Sequence, residues 1–192
     1  MPKLILGRYT RGGLWSLFLM CALPLHAWTL ILAFRDLAWL TDRTNSWDAI
    51  GVLSYGLLFA LVESVILFLL VACLGLLLPR NWEPQRRTAL LGIFALVLSL
   101  WAMASQLFYL ANMRLSDDII GFLVRSAHPL WLIYGALVLL VSASFLLPAW
   151  GIVRPGASLK FTSALIEKLA LLATFYLVFD VAALAIVLIR NL

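Results

Sequence analysis

Charge is scarce in this sequence. Only 12% of its 192 residues are charged, while 65% are hydrophobic and the mean hydropathy is +1.06. Soluble domains carry roughly 25% charged residues. A water-soluble fold of this composition would leave far more apolar surface than its polar residues cover, which excludes the ordinary soluble classes. Cysteine is nearly absent too. Cys21 and Cys73 both fall inside apolar runs, with no metal-ligand spacing and no sign of a disulfide framework. They read as small buried hydrophobes. Histidine is confined to His26 and His128. His128 lies at the edge of an apolar run and His26 about 12 Å deeper by helical rise, so one haem iron cannot take both within one chain. Signatures of catalysis are also missing: there is no G-x-S-x-G, H-E-x-x-H, Walker A or G-x-G-x-x-G. The reading is a non-enzyme without metal or cofactor. The net charge of +5 comes from short basic clusters between apolar runs, so no nucleic-acid partner is expected.

What the chain has instead is long apolar runs. About 20 apolar residues span a bilayer core, and five runs reach that length: 14–34, 49–78, 88–113, 130–153 and 169–189. The expected fold is all-α, a single polytopic domain of five transmembrane helices. Pro24 is expected to bend the first span, because proline removes one helical hydrogen bond. A basic start followed by an apolar run also describes a signal peptide. Leu25-His26-Ala27 is a poor cleavage site, however, and the run continues beyond it, so a retained helix is expected. Residues 35–48 read as a polar link. Residues 116–127 read as a short helix lying at the membrane surface, with Ser116 as its N-cap and Asp117 and Asp118 in the first turn, where the helix dipole favours anions.

Basic residues set the expected orientation. With the amino terminus inside, nine Lys and Arg residues fall in inner segments and five in outer ones. The positive-inside rule then favours a cytoplasmic amino terminus and an external carboxy terminus, in what reads as a prokaryotic plasma (inner) membrane. Trp15, Trp39, Trp47, Trp82, Trp131 and Trp150 fall near the span ends, where amphipathic rings settle.

Three ionisable side chains lie deep in the spans: His26, Glu63 and Asp180. A charged carboxylate at mid-depth costs at least about 2.5–3.5 kcal/mol, so each group needs a partner, a proton or a water-lined surface. The helix face of each carries small residues: Ala22 beside His26, Gly56 and Ala60 beside Glu63, Ala173 and Ala183 beside Asp180. Small residues let helix backbones approach. Gln106 lies on a comparable stripe with Ser99 and Ala102. These faces are expected to meet around one intramembrane polar core of His26, Glu63, Asp180 and Gln106. No Lys or Arg lies at that depth. The carboxyls are left to pair with His26, to carry a proton, or to hold a bound cation. The leading expectation is a membrane subunit or scaffold whose polar layer fixes helix packing. It would sit among membrane lipids and associate with other membrane subunits or with itself. A small proton- or cation-coupled transporter or channel protomer is the alternative.

One stretch carries a resemblance. Tyr109-Leu110-Ala111-Asn112-Met113-Arg114-Leu115-Ser116-Asp117-Asp118-Ile119-Ile120-Gly121-Phe122-Leu123, together with the five-span layout, resembles the membrane domain of the lipoteichoic-acid synthase-like sulfatases and phosphoethanolamine transferases. In that family the spans lead to an external metal-dependent catalytic domain, whose metal ligands these 192 residues do not include. The resemblance implies a membrane platform that holds a lipid substrate for a catalytic partner.

Overall fold

The computed structural model describes residues 8–154 and 157–192. Lys3, one of the nine basic residues counted on the inner side, and Pro155-Gly156, which read from the sequence as a turn, lie outside these residues. Six helices are described: α1 Arg11–Arg43, α2 Ser46–Leu74, α3 Pro84–Leu110, α4 Asp117–Arg125, α5 Pro129–Val153 and α6 Ala157–Asn191. No strand occurs among the described residues. All but α4 are long and apolar enough to cross a membrane. The protein is an all-α helical bundle.

Two boundaries differ from the sequence reading. The stretch 35–48 is mostly helix, since α1 runs unbroken to Arg43 and only Thr44 and Asn45 separate it from α2. Its charges do not break the helix because Arg35 pairs with the neighbouring Asp36, while Thr41 hydrogen-bonds back onto its own turn. At 33 residues α1 is about 50 Å long, well beyond a ~30 Å hydrocarbon core, so its polar last turns suit the zone outside it. The second difference is at the far end of α2, which stops at Leu74, short of the expected Leu78. Turns at Leu76 and Leu77 follow before Pro79. Helix α1 continues through Pro24, which is buried.

Helix α1 is the hub. It packs against α2, α3 and α6, and α2 also packs against α6. Leu17, Cys21, Val71, Leu91 and Ala95 form one buried cluster between α1, α2 and α3, and Leu19, Leu23, Ala170 and Ala173 another between α1 and α6. Helix α5 is peripheral: it lies against α3 and α6, and Ile152 is its only buried residue. The small-residue run of α2 does face inward, with Ala60 and Ser64 buried.

The two ends of the bundle are tied by arginines. At the amino-terminal end, α2 finishes with carbonyls that have no partner within the helix. Tyr9 donates through its hydroxyl to Ala72 in the last turn of α2 at 2.9 Å, and Arg8 donates to the carbonyls of Leu76 and Leu78 in the turn just beyond the helix. Arg87 donates to the Arg8 carbonyl and, at 2.8 Å, to the Pro79 carbonyl, with its guanidinium over the Tyr9 ring. Cations at a helix C-terminus also meet the negative end of its dipole. At the opposite end, Arg190 reaches from α6 to the Trp47 carbonyl and, at 2.8 Å, to the Asp48 carboxylate.

Candidate functional site

The deepest polar contact in the bundle joins α1 to α6. His26 Nε2 lies 2.9 Å and 3.0 Å from the two oxygens of Asp180, and Nδ1 lies 2.9 Å from the Ala22 carbonyl. Each ring nitrogen therefore has an oxygen partner, Nδ1 on its own helix and Nε2 on the α6 carboxyl, so the imidazole is fixed at both ends. Tyr176 stacks beside the imidazole at 6.0 Å between ring centroids. His26 is 0% exposed and Asp180 3% exposed.

Local sequence explains why the pair forms. Ala22 stands one turn before His26 and offers its carbonyl, which a helical i−4 neighbour is placed to do. Ala173 and Ala183 flank Asp180 on its own face and are both buried, so α6 approaches α1 closely at that level. His26 and Asp180 are thus both buried and in contact.

Glu63 does not join them. His26 and Glu63 are equally far from the tip of the α1–α2 hairpin, one counted back from Arg43 and the other forward from Ser46. They share a level, yet Glu63 is exposed on the outer side of α2. Ser64 is the buried residue, in line with Ala60, and Glu63 one residue earlier is turned about 100° away from it. Its neighbours on the outer side are large and exposed: Phe59, Ile66 and Leu70. The expectation of a single core of three titratable groups is corrected to a closed pair and a separate, outward-facing acid.

Gln106 is also outside the pair. It is exposed on α3 and accepts a hydrogen bond from Trp28 Nε1, tying α3 to α1. Ser116, Asp117 and Asp118 are exposed at the start of α4, far along the chain from any deep polar group. Ser116 is the N-cap residue by position, but its side chain makes no capping hydrogen bond. Among the described residues no three His, Cys, Asp or Glu side chains gather as a metal site would require.

Arg87 falls, by sequence, in one of the short basic clusters between apolar runs, which gives no hint of burial. It is 1% exposed and lies under the first turn of α3. A signal existed: Arg87, Leu91, Ala95 and Ser99 recur every four residues, and all four are buried. Two clefts lie elsewhere in the bundle. One of about 630 Å³, open and apolar, runs between the hairpin halves of α1 and α2 past Thr29, Leu32, Trp39, Ile50 and Leu53. Another of about 370 Å³ lies at the amino-terminal end among Thr10, Ser16, Gln85 and Glu167. Neither is lined by His26 or Asp180. The chain matches no family model, no characterised protein and no solved structure, so the geometry of its own side chains carries the functional argument.

Proposed function

We propose that this protein is a non-enzymatic integral membrane subunit, in which the His26–Asp180 pair locks α1 against α6. Its amino-terminal end, with Arg8, Arg80 and Arg87, faces the cytoplasm, and its outer helix faces are left to lipid and to other membrane chains. The observation that carries this reading is enclosure. The pair is buried and surrounded by packed side chains, and neither cleft among the described residues reaches it. A group that passes a proton or a cation needs a path to water, whereas a group that fixes two helices needs only its partner.

The test is a coupling measurement in mild detergent. Asp180→Leu leaves the imidazole buried without its acceptor and is expected to lower unfolding free energy by about 1–3 kcal/mol. The double variant His26→Leu with Asp180→Leu removes both polar groups and is expected to regain most of that loss. A conducting role makes a different demand. If Asp180→Asn left the melting curve unchanged and abolished a proton-driven flux in liposomes, the lock would be the wrong description.

A further inference from the structure

The smaller cleft, of about 370 Å³, is walled by three helices at the amino-terminal end of the bundle. Thr10 and Gly13 line it from the start of α1, Gln85 and Thr88 from the start of α3, and Ser163 and Glu167 from α6. A space of that size takes a small ligand or a headgroup. Its walls are rich in hydrogen-bond donors, and two independent features ask for an anion.

The first is a pair of open helix starts. The N–H groups of Arg11 and Gly12 in α1, and of Gln85 and Arg86 in α3, belong to first turns and have no carbonyl to pair with inside their helices. Thr10 caps only the Gly13 N–H, and the exposed Glu83 before α3 makes no side-chain cap. Neither first turn holds an acidic residue. The positive ends of two helix dipoles therefore meet at one cleft, and such ends bind oxyanions through their free N–H groups. The second feature is Thr88. It is 7% exposed, and its hydroxyl has no hydrogen-bond partner among the described residues. Buried polar groups are nearly always paired, so an orphan on the wall of a cleft points to a missing acceptor. Gly13 lies directly against it: an added Cβ there would come 2.7 Å from Thr88 Oγ1. Across the cleft, Gln85 donates to Ser163 Oγ at 3.2 Å, which leaves the Ser163 proton to donate onward.

We infer that this cleft binds a phosphate group, with the first turns of α1 and α3 and the hydroxyls of Thr88 and Ser163 as its donors. Phosphate suits the site because it offers more acceptor oxygens than a carboxylate, and the donors come from three helices. The group arrives either on a soluble phosphate or on a lipid headgroup, since the cleft lies at the ends of spanning helices. Glu167 is exposed, makes no ion pair among the described residues, and opposes the anion from the α6 wall. The site lies apart from the His26–Asp180 pair, so its failure and the failure of the lock are separate results.

The experiment titrates inorganic phosphate into the full chain in a maltoside detergent, at constant ionic strength balanced with chloride. Tryptophan emission and the melting temperature are read. A saturable response is expected, with a rise in melting temperature. Thr88→Val removes the orphan hydroxyl at nearly constant shape, so it should fold as the native chain does and bind about 10-fold more weakly. Thr88→Ser, which keeps the hydroxyl, should restore binding. Glu167→Gln, at an exposed position, should tighten binding about 2- to 5-fold, and it keeps the test open if Thr88→Val folds poorly. Thr174→Val, on α6 outside the cleft, should bind as the native chain does. Phosphatidic acid in mixed micelles identifies the source. Displacement of inorganic phosphate, or binding by the lipid alone with the same loss in Thr88→Val, assigns the site to a headgroup. Inorganic phosphate binding undisturbed by the lipid assigns it to a soluble ligand. No saturable response to either probe, an equal response to chloride, native affinity in Thr88→Val, or weaker binding in Glu167→Gln would each overturn the inference.

Discussion

The inner and outer faces of this bundle treat polar groups in opposite ways. Around α1, His26 meets Asp180, Arg87 meets two carbonyls and Tyr9 meets Ala72, while the buried Thr88 hydroxyl and Arg87 Nε make no hydrogen bond among the described residues. On the outer faces of α2 and α5 nothing of the kind occurs. Glu63 stands in a row of exposed apolar residues, and the whole of α5 buries one side chain. Polar pairing within the chain is thus concentrated around α1 and sparse on the outer faces. Substitutions near α1 should disturb the isolated chain, and substitutions on the outer faces should leave it alone. The coupling of His26 to Asp180 sets the upper end of that scale.

Arg87 extends the comparison with a cation in place of an anion. Its guanidinium is held by neutral acceptors, the carbonyls of Arg8 and Pro79, and by the face of Tyr9. No carboxylate pairs with it among the described residues. Hydrogen bonds to a charged group are worth about 1.5–3 kcal/mol. Arg87→Met keeps much of the side-chain volume and removes those bonds, so it is expected to lower stability by about that amount in a detergent melt. Arg80→Met, in the exposed turn nearby, should change the same melt by less than about 0.5 kcal/mol. An equal effect from both would mean that the amino-terminal end is held by general charge rather than by the buried contacts of Arg87.

The same contrast explains what was legible beforehand. Length and hydropathy suffice for five spanning helices, because the bilayer imposes a minimum apolar run. The inward faces of α1 and α6 were legible because His26 and Asp180 have small residues on both sides at helical spacing, so only one face can be the close-packed one. Glu63 was not legible for the opposite reason. Gly56 and Ala60 lie on one side of it and Phe59, Ile66 and Leu70 on the other, so it stands on the border between two faces. A shift of one residue, from Ser64 to Glu63, decides whether a side chain enters the bundle. The helical course of residues 35–43 was masked by their charge, which reads as a loop until Arg35 and Asp36 are seen to neutralise one another. Arg87 was hidden because charge near a span end is the ordinary signature of orientation.

A smaller effect is expected at Tyr9, which also has a sign in pH. Tyr9→Phe removes one hydrogen bond to the Ala72 carbonyl and should lower stability by about 0.5–1.5 kcal/mol near neutral pH. Burial pushes the Tyr9 hydroxyl above its usual value near 10, outweighing the opposite pull of Arg87 and Arg8. The folded state therefore holds the phenolic proton more tightly than the unfolded state. That contribution is fully present below about pH 10 and is lost as pH rises through the folded-state value. The native chain should lose stability more steeply than Tyr9→Phe above pH 10, measured as the difference between their alkaline unfolding curves. Parallel curves would mean that the hydroxyl is open to water.

The smallest effect is the most discriminating. Glu63→Leu replaces the outward acid with a residue like its neighbours on the stripe. In a single copy it breaks no contact, so the melt of the monomeric form in detergent should move by less than about 0.5 kcal/mol. In a bilayer it removes a group whose insertion is unfavourable by about 2.5–3.5 kcal/mol if charged, which should ease insertion of α2. A destabilised monomer would place Glu63 inside the bundle and dissolve the contrast between inner and outer faces. An unchanged melt would mean that the isolated fold stands without the acid, as its exposure on the outer side of α2 requires.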